Sequence, residues 1–139
     1  MMKYVVLLAG LWFSGLGAAG QSVDWSKARD WKLFAVHGRD IWALVVDSVD
    51  AFPHVGMQRD SCRYLLEGVT VLGDKKAPVW MGGFVVSCRV DSGRRKLLVS
   101  SYGGFFYDAL SKQYFRIAAD RQREWLDYVA ALAAAADSR

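Results

Sequence analysis

The sequence predicts an α+β fold: one antiparallel sheet of about six strands built from hairpins, a single C-terminal helix packed on one face, and one disulfide. Three observations predict it. Short apolar stretches of alternating polarity flank turn residues, most clearly where residues 84–90 and 95–99 flank Asp91-Ser92-Gly93-Arg94. A stripe at helical spacing closes the chain, with Trp125, Val129, Leu132 and Ala136 on it and Leu126 and Ala133 beside it. Two cysteines, Cys62 and Cys88, stand in a chain that opens like an exported protein.

The opening is Met1-Met2-Lys3, an apolar run over residues 4–16, and the small residues Gly17-Ala18-Ala19-Gly20. This is the pattern of a secretory signal. Residues 1–20 are expected to be cleaved after Ala19 or Gly20, leaving residues 21–139 as a single domain. The apolar run is too short for an anchor, so no stable membrane span is expected after cleavage. The 139 residues carry a net charge of +4, and removal of Lys3 leaves 17 basic against 14 acidic side chains. A mild basic balance suits anionic partners without singling out nucleic acid, and an exported protein is not expected to bind one. An aromatic content of 14% excludes a disordered chain.

Residues 21–30 read as a polar lead-in that packs Trp25. Residues 31–49 read as a first hairpin, with arms 32–37 and 41–47 about His37-Gly38-Arg39-Asp40. Both of its faces are apolar, which implies a central place in the sheet, or one face covered by a helix and the other by loops or by a second subunit in a homodimer. Phe52-Pro53-His54-Val55-Gly56 reads as a loop. Residues 61–67 lie between strand and short helix, and the β-branched residues after Gly68 favour strand. A turn over residues 73–78 and a bend at Gly82-Gly83 lead into the cysteine hairpin. With Ser92-Gly93 as its loop, Cys88 faces Leu97 and Val86 faces Val99. Phe84, Val86, Cys88, Val90, Leu97 and Val99 then share one face, and Val85, Ser87, Arg89, Lys96, Leu98 and Ser100 the other. A third hairpin joins residues 105–108 to 113–117, and Asp120 is the expected N-cap of the final helix.

In an oxidising compartment Cys62 and Cys88 are expected to form a structural disulfide. The alternatives are a redox pair, a metal site or two free thiols. The redox pair lacks a Cys-x-x-Cys spacing and the metal site lacks further ligands. The two histidines, His37 and His54, fall at a turn and in a loop, and no catalytic, phosphate-binding or cofactor motif is present. Asp47 and Asp50 form a pair of carboxylates no different from those of any polar stretch. The local candidate for binding is the hairpin tip, where Arg89, Arg94, Arg95 and Lys96 cluster. They would form either a patch for an anion or acidic partner, or charge that guards a sheet edge.

The order of several short motifs resembles the surface-adhesin protein E-like family of Gram-negative exported proteins. The matching pieces are Trp31-Lys32-Leu33-Phe34, Leu44-Val45-Val46-Asp47-Ser48-Val49, Val85-Val86-Ser87-Cys88-Arg89, Arg95-Lys96-Leu97-Leu98, and an aromatic stretch ending in Tyr107-Asp108. The resemblance implies a twisted antiparallel sheet with a C-terminal helix in an envelope-associated protein, an adhesin for host matrix proteins in the named members. It transfers no binding residue. Export, many aromatics and the lack of a catalytic set thus point to a periplasmic or secreted non-enzymatic protein that binds another protein of the envelope or of a host. A periplasmic immunity protein, or an inhibitor of a secreted toxin or lysozyme-like enzyme, fits the same size and compartment. A hydrolase with an unrecognised site is the third possibility.

Overall fold

The computed structural model describes residues 23–37, 49–72, 83–91 and 93–138. Its strands are β1 (Arg29–His37), β2 (His54–Gly56), β3 (Thr70–Leu72), β4 (Gly83–Val90), β5 (Gly93–Ser100), β6 (Phe105–Asp108) and β7 (Gln113–Arg116). Its helices are α1 (Arg59–Leu65) and α2 (Gln122–Asp137). The strands form one antiparallel sheet of seven in the order β2-β1-β4-β5-β6-β7-β3. The α+β architecture with a C-terminal helix is therefore as expected. The second arm expected for the first hairpin, residues 41–47, and the signal segment lie outside the described residues. Among the described residues, β1 takes β2 and β4 as its neighbours.

Two elements differ from expectation. Residues 59–65 are a helix, because Cys62, Leu65 and Leu66 are buried at i, i+3 and i+4, which is a helical stripe. Gly68, at φ 78°, lets the chain leave that helix in the left-handed region and turn into β3. His54–Gly56 is an edge strand on β1 and not a loop. Pro53 lacks an amide donor, yet its carbonyl accepts from the Ala35 amide at 2.7 Å, so it closes the ladder from just outside the strand.

The larger core lies between the sheet and the helices. Leu33, Val86, Cys88, Leu97, Val99 and Phe106 meet Cys62, Leu65, Trp125 and Val129 there. Trp25 rests edge-on against Phe106 and Phe115, with centroids 5.2 and 5.3 Å apart, and Phe106 meets Phe115 at 5.4 Å. These offset edge contacts suit the ring quadrupoles. The turn Trp25–Lys27 that delivers Trp25 is capped by Asp24, which accepts from the Ser26 amide. Helix α2 lies over β1 and β2 with Trp125, Val129, Ala133 and Ala136 buried. Asp120 does not cap it. It belongs to a preceding turn, Ala119–Arg121, and the Gln122 amide side chain donates to the Ile117 carbonyl at 2.9 Å instead. Gly104 makes room for this, since a β-carbon there would overlap the Gln122 side chain. A smaller cluster on the opposite face buries Phe34, Val36, Val49, Val85 and Leu98.

Candidate functional site

The β4–β5 hairpin sets the geometry of the basic residues. Its register pairs Val90 with Gly93, Arg89 with Arg94, Cys88 with Arg95, Ser87 with Lys96 and Val86 with Leu97. The connection between Val90 and Gly93 is thus two residues long, and Asp91 at φ 56° takes the left-handed conformation that such tight loops require. Each pairing is offset by two residues from the expected one. An even offset leaves every side chain on its expected face. Val86 and Cys88 still point to the helices, and Val85 and Leu98 away from them.

This register divides the four expected binding residues. Arg95 shares the helix-facing side with Cys88 and pairs with Asp108, a fully buried carboxylate. Asp108 also accepts from the Leu110 amide at 3.0 Å and the Ser111 hydroxyl at 2.9 Å. Arg95 is therefore part of the structural core of the β6–β7 turn. Arg89, Arg94 and Lys96 stay together on the other face. There they are joined by two residues that the hairpin alone could not show. Arg29 of β1 lies opposite Arg89, which lies opposite Arg94, so three arginines form a row across three strands. Lys32 lies opposite Ser87, which lies opposite Lys96, so two lysines flank a serine in the next row.

Among the described residues, two carboxylates enter this field of five cations. Asp30, at φ 56° in the irregular stretch of β1 between Arg29 and Lys32, reaches Arg89 at 3.4 Å. Asp50, on the turn Val49–Ala51, meets Arg94 at 2.6 Å and Lys96 at 3.5 Å. The Arg94 guanidinium also lies 3.5 Å from the Ser87 hydroxyl. Slight burial works to raise the Asp50 pKa, but the charges of Lys96 and Arg94 outweigh it and hold the carboxyl below its usual range. Like charges directly opposite each other on a sheet oppose its pairing. Among the described residues, the Asp30 and Asp50 carboxylates are the ones that face this repulsion.

The disulfide expectation is corrected: Cys62 and Cys88 are both free thiols, and both are buried. Cys62 comes from α1 in the helix layer and Cys88 from β4 in the sheet, and the two sulfurs pack in the core without the bonding geometry of a disulfide. The thiols instead fill the core as small apolar groups. Burial, together with the neighbouring Cys88, raises the Cys62 pKa far above the ordinary thiol value. For Cys88, burial and then the Asp108 carboxylate push it up to about 12, with Arg95 acting the other way. Both side chains are thus poor nucleophiles at neutral pH.

A pH dependence follows, with its sign set by those shifts. The unfolded thiols ionise near 9.0, whereas the folded ones retain their protons beyond that pH. Their contribution to stability is complete below pH 9.0 and is lost progressively as pH rises above it. Chemical denaturation across this range should show a shallower alkaline decline in a Cys62→Ala/Cys88→Ala variant than in the native chain. An identical decline in both would refute the assignment.

Elsewhere among the described residues, no reactive groups come together. His54 is exposed on β2 with its ring 5.5 Å from Phe34, and the His37 side chain and Asp47 lie outside the described residues. A shallow cavity of about 240 Å³ lies beside Trp25, Leu66 and Val69. Its carboxylates are engaged, Asp24 by Ser26 and Glu67 by Arg121. Among the described residues, no group of three His, Cys, Asp or Glu side chains could hold a metal ion. Among them, too, no helix is long and apolar enough to cross a membrane. No family model, no curated protein and no solved structure matches the chain.

Proposed function

We propose that the protein is an exported, non-enzymatic protein-binding module of the periplasm or envelope, and that it binds through the face of the sheet turned away from α2. The row Arg29–Arg89–Arg94 carries this reading. Arg89 and Arg94 each meet one carboxylate, yet the row still sets like charges opposite each other, so a partner that brings further carboxylates would gain what the free protein forgoes. Arginine is also the cation best suited to an interface, through its planar fork of donors and weak hydration. The signal-like opening of the chain supports the same reading. An immunity or inhibitor role remains compatible only with an acidic toxin, because this surface would repel a basic enzyme.

The test is site-specific photo-crosslinking in cells, with the probe at position 89 on the proposed face and at position 127 on the exposed side of α2. One protein, recovered with the periplasmic fraction from position 89 only and rebound when purified, is the expected result. Equal labelling from both positions, or none from position 89, would overturn the proposal.

A further inference from the structure

We infer that Asp50 is a resident substitute for a carboxylate of the partner, and that an acidic segment of a partner protein takes its seat between Arg94 and Lys96. The inference rests on the protein-binding reading above and adds the chemistry and regulation of the surface.

The seat is already a carboxylate site. Arg94 at 2.6 Å and Lys96 at 3.5 Å converge on Asp50, with the Ser87 hydroxyl 3.5 Å from the same guanidinium. The occupant is easily exchanged. The Asp50 side chain is 52% exposed, on a three-residue turn whose buried anchor is Val49. The Arg94–Asp50 pair is exposed at both partners, 36% and 52%, and such pairs contribute only about 0–1 kcal/mol, so an incoming carboxylate replaces Asp50 on Arg94 at little cost; Lys96, 18% exposed, is the more enclosed partner. A partner with several carboxylates gains more than Asp50 can, because Arg29 and Arg89 continue the row.

The same arrangement favours a peptide over other polyanions. Asp30, within β1, stands inside the basic field and stays there when Asp50 is displaced. A duplex carries a charge about every 1.7 Å along its axis and would lay phosphates over that carboxylate as well as over the cations. An anionic membrane is similarly indiscriminate. A peptide can place carboxylates only where the cations are.

The test is fluorescence anisotropy at low salt with a labelled peptide of alternating glutamate and glycine. Asp50→Asn should bind it about three- to fivefold more tightly than the native chain, the change expected from vacating an exposed pair. Asp127→Asn adds the same charge on α2 and should bind as the native chain does. Adding Arg94→Gln to Asp50→Asn should abolish the gain. Asp50→Asn binding no better than Asp127→Asn would overturn the inference. So would a larger gain for phosphatidylglycerol vesicles or a single-stranded oligonucleotide than for the peptide. Crosslinking from position 89 separates the two levels: a protein captured there, with no gain from Asp50→Asn, removes the role of Asp50 and leaves the binding module standing.

Discussion

Replacing Asp108 by alanine is expected to destabilise the protein by about 3–5 kcal/mol, the cost of leaving a buried charge without its partner. The carboxylate is fully buried and faces Arg95, whose side chain is only 17% exposed. It accepts two further hydrogen bonds, from Leu110 and Ser111, that close the β6–β7 turn. Without it, the guanidinium has no anion to face and its Nε, already without a partner among the described residues, stays buried. Water cannot easily compensate on the helix side of the sheet. Asp108→Asn should be milder, since an amide oxygen still accepts from the turn. An Arg95→Met/Asp108→Leu double variant should recover most of the loss, because buried ion pairs are often replaceable by apolar groups of similar volume. Urea denaturation of the native chain and the three variants provides the comparison. A loss below about 1 kcal/mol for Asp108→Ala would place the pair with exposed ones and return Arg95 to the candidate binding residues.

That division of the basic cluster shows how far the sequence carries. The alternation of residues 84–100 sufficed to place Val86 and Cys88 on one face and Arg89 and Lys96 on the other. The turn chemistry did not decide which residues form the loop, because Asp91 and Gly93 can each supply a left-handed conformation. The misplaced loop did not move any face, since the offset was even. Helix α1 was missed because its apolar stripe is too short to outweigh the β-branched residues that follow. Compartment chemistry bears on whether Cys62 and Cys88 could be oxidised, but the bond also needs a spacing and alignment of the two β-carbons that residue types alone do not specify. Arg29 and Lys32 escaped notice for a different reason. They join Arg89 and Lys96 only through the pairing of β1 with β4, a contact between segments more than fifty residues apart. Local pattern carries no information about such a pairing, and Asp50, from a third segment, is equally invisible.

Trp125 should be the most sensitive position of the helix layer. It is fully buried and lies edge-on to Phe106 with centroids 6.4 Å apart. Trp125→Ala is expected to lose about 3–5 kcal/mol, combining the lost transfer free energy with an unfilled cavity beneath α2. Trp125→Phe should behave very differently. The indole Nε1 is buried without a hydrogen-bond partner among the described residues. An orphan donor of this kind costs about 1–3 kcal/mol, so phenylalanine removes an unfavourable group while leaving a smaller void. The two effects oppose each other, and the net change should stay under about 1.5 kcal/mol, as for other conservative core exchanges. Thermal and urea unfolding of both variants would separate ring volume from the buried N–H. A Trp125→Phe loss equal to that of Trp125→Ala would mean that the indole nitrogen is satisfied and that ring size is not what matters. Because α2 reaches the sheet over β1 and β2 on the side away from the arginine row, Trp125→Phe should leave the acidic-peptide affinity of Asp50→Asn unchanged. Core and binding face would then be separable, as expected when a sheet's two sides answer to different parts of the chain.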